Sequence, residues 1–249
     1  MFAYMQPTVQ TAPPQAAKRE LRTIAIQAAA LVAVLTMLRV WYAGTIELAG
    51  DEAYYWLWSR HLDIGYYSKG PGVAWAIAAS TRLFGDGERA VRLPAILAAA
   101  VSSWALYGLA RRMHSPRAAL WTLWIAATMP LLLAGSLLMT IDPLSVAAWL
   151  VGALAVWDAL ETGHLRSWII AGIAVAAGTL AKFTNLAELA SYILAAAVWP
   201  DQRRLRRPGL WLAVVIGMSG LIPPLLWNLR HGWVTLQHLG SRGALDRPF

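Results

Sequence analysis

Residues 51–72 read Asp51-Glu-Ala-Tyr-Tyr-Trp-Leu-Trp-Ser-Arg-His-Leu-Asp-Ile-Gly-Tyr-Tyr-Ser-Lys69-Gly-Pro-Gly72, the densest polar chemistry in a largely apolar chain. Two adjacent acids, several aromatics and a lysine follow closely on an apolar run, 23–42, long enough to cross a bilayer. Ionisable groups beside a membrane span are costly enough to mark a functional region. On either side, an apolar fraction of 58% against 14% charged residues departs from the mix of a soluble domain, so we read an all-α, polytopic membrane protein. Cysteine is absent, which removes disulfides and every Cys-based metal site. The net charge of +8 is gathered in short loops between apolar runs. That pattern indicates topology and contact with anionic membrane lipids, not nucleic-acid binding.

The remaining apolar runs are 71–84, 93–110, 118–139, 143–160, 167–181, 186–199 and 210–227. A crossing helix needs about 20 apolar residues, and about 17 at the short end. Run 71–84 falls short, is interrupted by Arg82 and is bounded by glycines, so its length suits an interfacial or re-entrant helix. Lys18, Arg19 and Arg22 precede the first span and should be cytoplasmic, which puts the loop 43–92 outside. The basic loop 111–117 then falls inside, and Asp142 returns to the face of Asp51. Between Ser167 and the basic stretch Asp201–Pro208, parity calls for two crossings or none, and two short helices meeting near Lys182-Phe-Thr-Asn185 fit best. The expectation is a bundle of about seven crossings with juxtamembrane helices in the external loop. A disordered tail over 1–17 precedes a single transmembrane module over 18–240.

Adjacent helical residues diverge by about 100°, so Asp51 and Glu52 do not form a paired-carboxylate glycosidase site by themselves. They read also as a helix start, Asp51 as cap and Glu52 against the dipole. Asp142 before Pro143 carries the same ambiguity. Function is favoured by the return of both acids to one membrane face. Tyr55, Trp58 and Leu62 share a helical stripe. Lys69, among Ser, Gly and Pro, is a point charge suited to phosphate or to snorkelling towards headgroups. Tyr66 and Tyr67 suit either interfacial anchoring or hydrogen bonds to a phosphate. Arg92 suits a lipid phosphate or an i,i+4 pair with Glu88. Lys182, at a turn inside the bundle, calls for a partner or a water-filled cavity. No histidine spacing defines a metal site and no nucleotide-binding loop is present, so a lipid-borne sugar donor fits better than a nucleotide sugar.

In order, Asp51-Glu52-Ala-Tyr-Tyr55, Tyr66-Tyr67-Ser68-Lys69-Gly-Pro71, Leu83-Phe84-Gly85, Val91-Arg92-Leu93-Pro94, Thr140-Ile-Asp142-Pro143, Leu180-Ala-Lys182-Phe-Thr184 and Trp227-Asn-Leu-Arg-His-Gly-Trp233 recur as a set. The set resembles the family 39 glycosyltransferases, relatives of protein O-mannosyltransferases and of the bacterial lipid A aminoarabinose transferase. The resemblance implies a GT-C fold in a multi-pass protein of the bacterial plasma membrane. It also implies a polyprenyl-phosphate sugar donor and a lipid, glycan or protein acceptor, used on the external (periplasmic) face. Asp51 would be the catalytic acid, with Glu52 beside it and Asp142 as a second acid. Lys69, Tyr55 and Tyr66 would lie near the donor phosphate, with Arg92 and Lys182 as further substrate-binding groups. A divalent cation is left open as a cofactor, with no metal ligands assigned. Ser68 stands where the aminoarabinose transferases carry Glu, so their sugar is not implied. Family members run to about twice this length, so 241–249 reads as a truncated tail with the family's C-terminal part absent. A non-catalytic short relative, and a transporter or lipid-binding protein using Asp142 and Lys182, are the competing readings.

Overall fold

The computed structural model describes residues 15–199 and 207–242. Most of the expected N-terminal tail, most of the basic stretch before Pro208 and the last seven residues lie outside the described residues. Regular structure among the described residues is entirely helical. The order is α1 (Gln15–Tyr42), α2 (Gly50–Arg60), α3 (Gly72–Phe84), α4 (Glu88–Met113), α5 (Pro116–Thr128), α6 (Pro130–Gly135) and α7 (Ile141–Thr162). There follow α8 (Leu165–Ala181), a 3-10 turn (Phe183–Leu186), α9 (Ala187–Val198), α10 (Pro208–Ser219), α11 (Ile222–Arg230) and α12 (Val234–Arg242). Gln15–Ala17, expected in the tail, already belong to the first helix.

Four of these segments are long and apolar enough to cross a membrane: Ala17–Tyr42, Glu88–Met113, Ile141–Thr162 and Pro208–Arg230. Leu165–Ala181 and Phe183–Val198 are shorter apolar helices that meet at Lys182, the arrangement expected from charge parity. The run 118–139 differs from expectation. It is not one crossing helix but α5 and α6, separated at Met129, whose backbone is extended (φ −72, ψ 120). Pro130 is the cause: it lacks an N–H for the helical ladder, and its ring drives the preceding residue out of the α region. Run 71–84 forms α3, and α2 precedes it in the same loop, so the two expected loop helices are present.

Helix α7 packs against α4 and α8, and α8 against α10. Small residues permit this: a Cβ on Gly172 of α8 would lie 2.8 Å from the Ala213 carbonyl of α10. One apolar cluster joins Val156, Leu160, Trp168, Val175, Leu189 and Leu210. A second joins Tyr55, Trp58, Tyr66, Val73, Ile77, Val91, Met139, Ile141 and Ala181, so α2, α3 and the ends of α7 and α8 share one core. The far end of the bundle is tied by Arg112–Asp158 and Arg117–Glu20, each at 2.6 Å. The lone basic cluster of the first helix thus lies with the 111–117 loop, opposite α2 and α3.

Candidate functional site

The first layer of the site is an ion pair that the sequence separates by forty residues. Glu52 and Arg92 are both fully buried, with Arg92 Nη2 donating to Glu52 Oε2 at 2.6 Å and Nε to Oε1 at 2.9 Å. Arg92 Nη1 donates to the carbonyls of Ala43 and Ile46, and Nη2 to that of Glu47. The guanidinium has five N–H donors, and these five bonds use them. Glu52 also accepts from the backbone N–H of Ala49 at 2.9 Å and of Met139 at 2.8 Å. Burial alone would raise the Glu52 carboxyl, but bonds from Arg92, Met139 and Ala49 together with the Arg92 charge outweigh it and hold it below the ordinary value. The pair therefore clamps the end of α1, the start of α2, the start of α4 and the approach to α7. Glu52 has no free oxygen for acid–base work and Arg92 no free donor for a phosphate, so the substrate roles expected of both do not fit their surroundings. The alternative i,i+4 pair of Arg92 with Glu88 is not made either.

With Glu52 held inward, Asp51 points the other way, as the helical step requires. It is exposed and has no hydrogen-bond or ion-pair partner among the described residues. It does not cap α2, since the helix begins one residue earlier with Ala49 in the cap position. Thr140, not Asp142, caps α7: its hydroxyl accepts from the Asp142 N–H at 3.3 Å. The Asp142 carboxylate is thereby left for Lys182, whose Nζ reaches Oδ1 at 2.7 Å. This joins the start of α7 to the end of α8.

Lys69 is half-buried, and its ammonium has no partner among the described residues. The backbone after it lies flat on the last turn of α8. A Cβ on Gly70 would strike the Leu180 carbonyl, and one on Gly72 would lie 2.8 Å from Ala181 N. Only glycine admits that approach. Lys69 and Lys182 are therefore carried by segments in direct contact, and the Met139 bond to Glu52 brings Asp51 to the same end of the bundle.

Tyr55 is buried in the shared core, edge-on to Trp58 at 5.3 Å. Tyr66 stacks on Trp58 with centroids 4.4 Å apart. Its hydroxyl lies 3.1 Å from the Trp58 and His61 carbonyls and accepts from the Asp63 N–H at 3.1 Å. Burial raises its pKa, so it remains a protonated donor engaged with the backbone. Tyr66 thus shapes the loop and has no hydroxyl to offer a phosphate.

Sequence reasoning missed two polar clusters. Asp63 accepts from Trp227 Nε1 at 2.8 Å through its carboxylate and from Trp75 Nε1 at 2.9 Å through its carbonyl, tying the loop to α3 and α11. Asn185, fully buried, bonds Ser145 and Glu188, and Tyr192 donates to Glu188 at 2.7 Å, which fixes the turn after Lys182 against α7. A carboxylate inside run 186–199 and an amide at its edge were the available signal for the second cluster. Among the described residues no group of three or more His, Cys, Asp or Glu side chains converges as metal ligands would.

Residues 68–227, more than half of the chain, match the model of the dolichyl-phosphate-mannose-protein mannosyltransferase family. A lipid A galacturonosyltransferase of Rhizobium johnstonii is 30% identical over 189 residues, which are 76% of this chain and 40% of that protein. An undecaprenyl phosphate-alpha-4-amino-4-deoxy-L-arabinose arabinosyl transferase of Pseudomonas aeruginosa is 30% identical over 188 residues, 73% of this chain and 33% of that protein. The chain thus spans less than half the length of these relatives. The crystal structure of ArnT from Cupriavidus metallidurans in the apo state superposes with a TM-score of 0.65 at 20% identity, over 94% of this chain and 45% of that one. That likeness shows a shared fold.

Proposed function

The chain belongs to the dolichyl-phosphate-mannose-protein mannosyltransferase family, and from that premise we propose that it carries the transfer site of a membrane glycosyltransferase. The reaction moves a sugar from a polyprenyl-phosphate donor to an acceptor hydroxyl on the external face of the membrane. One observation carries this reading. An unpaired carboxylate, Asp51, sits on a helix whose next residue is clamped, at the same end of the bundle as an unpaired cation, Lys69. The relatives' names supply the substrate class, a polyprenyl phosphate on the donor side and lipid A on the acceptor side.

Asp51 takes the proton of the acceptor hydroxyl as its oxygen bonds to the anomeric carbon. The bond from that carbon to the phosphate oxygen breaks, and the phosphate leaves with the electron pair. Because phosphate is a stable anion, no acid is needed on the leaving side, and one carboxylate suffices, unlike the two of a glycosidase. Lys69 stabilises the charge gathering on the phosphate. Asp142 holds Lys182 beside that charge, adding a second, partly neutralised cation. Positioned base catalysis contributes about 10²–10⁴-fold. Asp51→Asn should therefore lower transfer from a labelled polyprenyl-phosphate sugar by about that factor in proteoliposomes while membrane insertion is unchanged. A rate near wild type in Asp51→Asn overturns the proposal.

A further inference from the structure

Lys182 lies between two helices and belongs to neither. Its backbone is extended (φ −148, ψ 120) after α8 and before the 3-10 turn, so no helix of its own aims the side chain. The contact with Asp142 does not fix it either. The Lys182 and Asp142 side chains are 37% and 55% exposed, and an ion pair so open to water and salt is weak. A firmer joint lies beneath. Ser145 follows Asp142 by three residues on α7, and Asn185 follows Lys182 by three, so a second rung joins the same two segments about one turn further in.

This inner rung is buried and held by two bonds. Ser145 Oγ donates to Asn185 Oδ1 at 2.6 Å, and Asn185 Nδ2 donates to the Ser145 carbonyl at 3.2 Å. The same nitrogen donates to Glu188 Oε1 at 2.9 Å, and Glu188 Oε2 accepts from Tyr192 Oη at 2.7 Å. A backbone carbonyl only accepts, so the nitrogen end of the amide is fixed on that side, and Glu188 takes its other N–H. The Asn185 N–H donates to the Lys182 carbonyl at 3.0 Å, and the Lys182 N–H to the Gly178 carbonyl at 2.7 Å, which ties the rung to Lys182 itself.

Two helices give up side chains to admit the cluster. A Cβ on Gly178 of α8 would strike the Asn185 amide. One on Gly152 of α7 would strike the Tyr192 hydroxyl and lie 2.7 Å from Glu188 Oε2. Glu188 is fully buried and makes no ion pair among the described residues. An acid inside the bundle is costly, and what a fully bonded buried network supplies in return is rigidity.

We infer that Asn185 and Glu188 are positioning residues for transfer: they seat the Lys182 ammonium against Asp142 and touch no substrate themselves. The inference rests on the transfer reading, in which that pair stands beside the charge gathering on the leaving phosphate.

The chain's lysines are Lys18, Lys69 and Lys182, so ¹³C-dimethylation of the full chain in nanodiscs gives a short lysine spectrum, assigned through Arg variants. Asp142→Asn marks where the Lys182 signal goes when its ion pair is lost. Asn185→Leu and Glu188→Leu should move it to that place and leave the Lys69 signal where it was. Ser145→Ala, a milder change that drops one bond of the rung, should move it part of the way. Glu188→Gln, whose Oε1 still accepts from Asn185 and whose Nε2 can donate to Tyr192, should keep the wild-type position. In proteoliposomes Asn185→Leu should lower turnover per folded molecule by about 10–10²-fold, and should add no further loss to Lys182→Ala. A Lys182 signal unmoved in both Asn185→Leu and Ser145→Ala overturns the inference. So does an equal loss of turnover in the Lys182→Ala background, the mark of a general folding defect. Glu188→Gln behaving as Glu188→Leu also overturns it, because the acid's charge and not its bonds would then be the cause. The spectrum needs no transfer, so wild-type turnover in Lys182→Ala would remove that cation from the transfer reading while the spectrum still decides what seats it.

Discussion

Glu52 and Asp51 are neighbours with opposite fates, and the difference is a matter of which way each points. Removing one partner of a buried ion pair strands the other charge, so Arg92→Ala should cost about 3–5 kcal/mol of stability, read as a lowered thermal midpoint in detergent. Glu52→Gln tests the same pair by pH. The folded carboxyl is held below its ordinary value near 4.5. Its stabilisation is therefore complete above that ordinary value and disappears as pH falls through the folded-state pKa. The gap in midpoint between wild type and Glu52→Gln should stay constant from neutral pH to about pH 5 and close only in stronger acid. A gap already closing near neutrality contradicts the geometry. Lys69→Ala should raise the donor KM with little change in the midpoint, because that ammonium holds no other residue. Asp51, Lys69, Asp142 and Lys182 were readable as candidates because charge near a membrane is rare. The partners of Glu52 and Arg92 were not, since a bond across forty residues leaves no periodic trace in sequence.

Helices are joined here at their ends, and the joints decide where charges sit. The contact of Gly70 and Gly72 with the last turn of α8 sets the segment that carries Lys69 against the helix that ends just before Lys182. Gly70→Ala forces a methyl into the Leu180 carbonyl, with an overpacking cost of about 1–3 kcal/mol. It should displace the Lys69 segment, raising donor KM more than it lowers the thermal midpoint, while Gly50→Ala, where a Cβ meets nothing, should do neither. Hydropathy placed most helices correctly because burial in lipid is a property of composition over a window. It failed at 118–139, since Pro130 breaks a ladder without making the window less apolar. The caps moved for a similar reason: Thr140 reaches the Asp142 N–H, a choice among neighbours that only backbone geometry settles.

The whole chain is polarised. Basic residues at the start of α1 and around 111–117 share one end of the bundle, and the unpaired acid and lysine share the other. With no native cysteine to remove, single-cysteine variants report this directly. Ser68→Cys should react with a membrane-impermeant thiol reagent added outside intact cells, and His114→Cys only after permeabilisation. The reverse pattern would place Asp51 and Lys69 on the cytoplasmic face. Charge bias made this polarity readable from sequence, whereas the cavity of about 520 Å³ that Asp142 lines was not, because a void is bounded by residues from several helices. The bonds that build the site all fall between Ala43 and Lys182. Helices α10–α12 add ties such as Trp227 to Asp63, but no member of that bonded set. Because a chain emerges N-terminus first and folds in that order, the clamp, the Asp142–Lys182 pair and the seat of Lys69 can close during synthesis, before α10–α12 have left the ribosome.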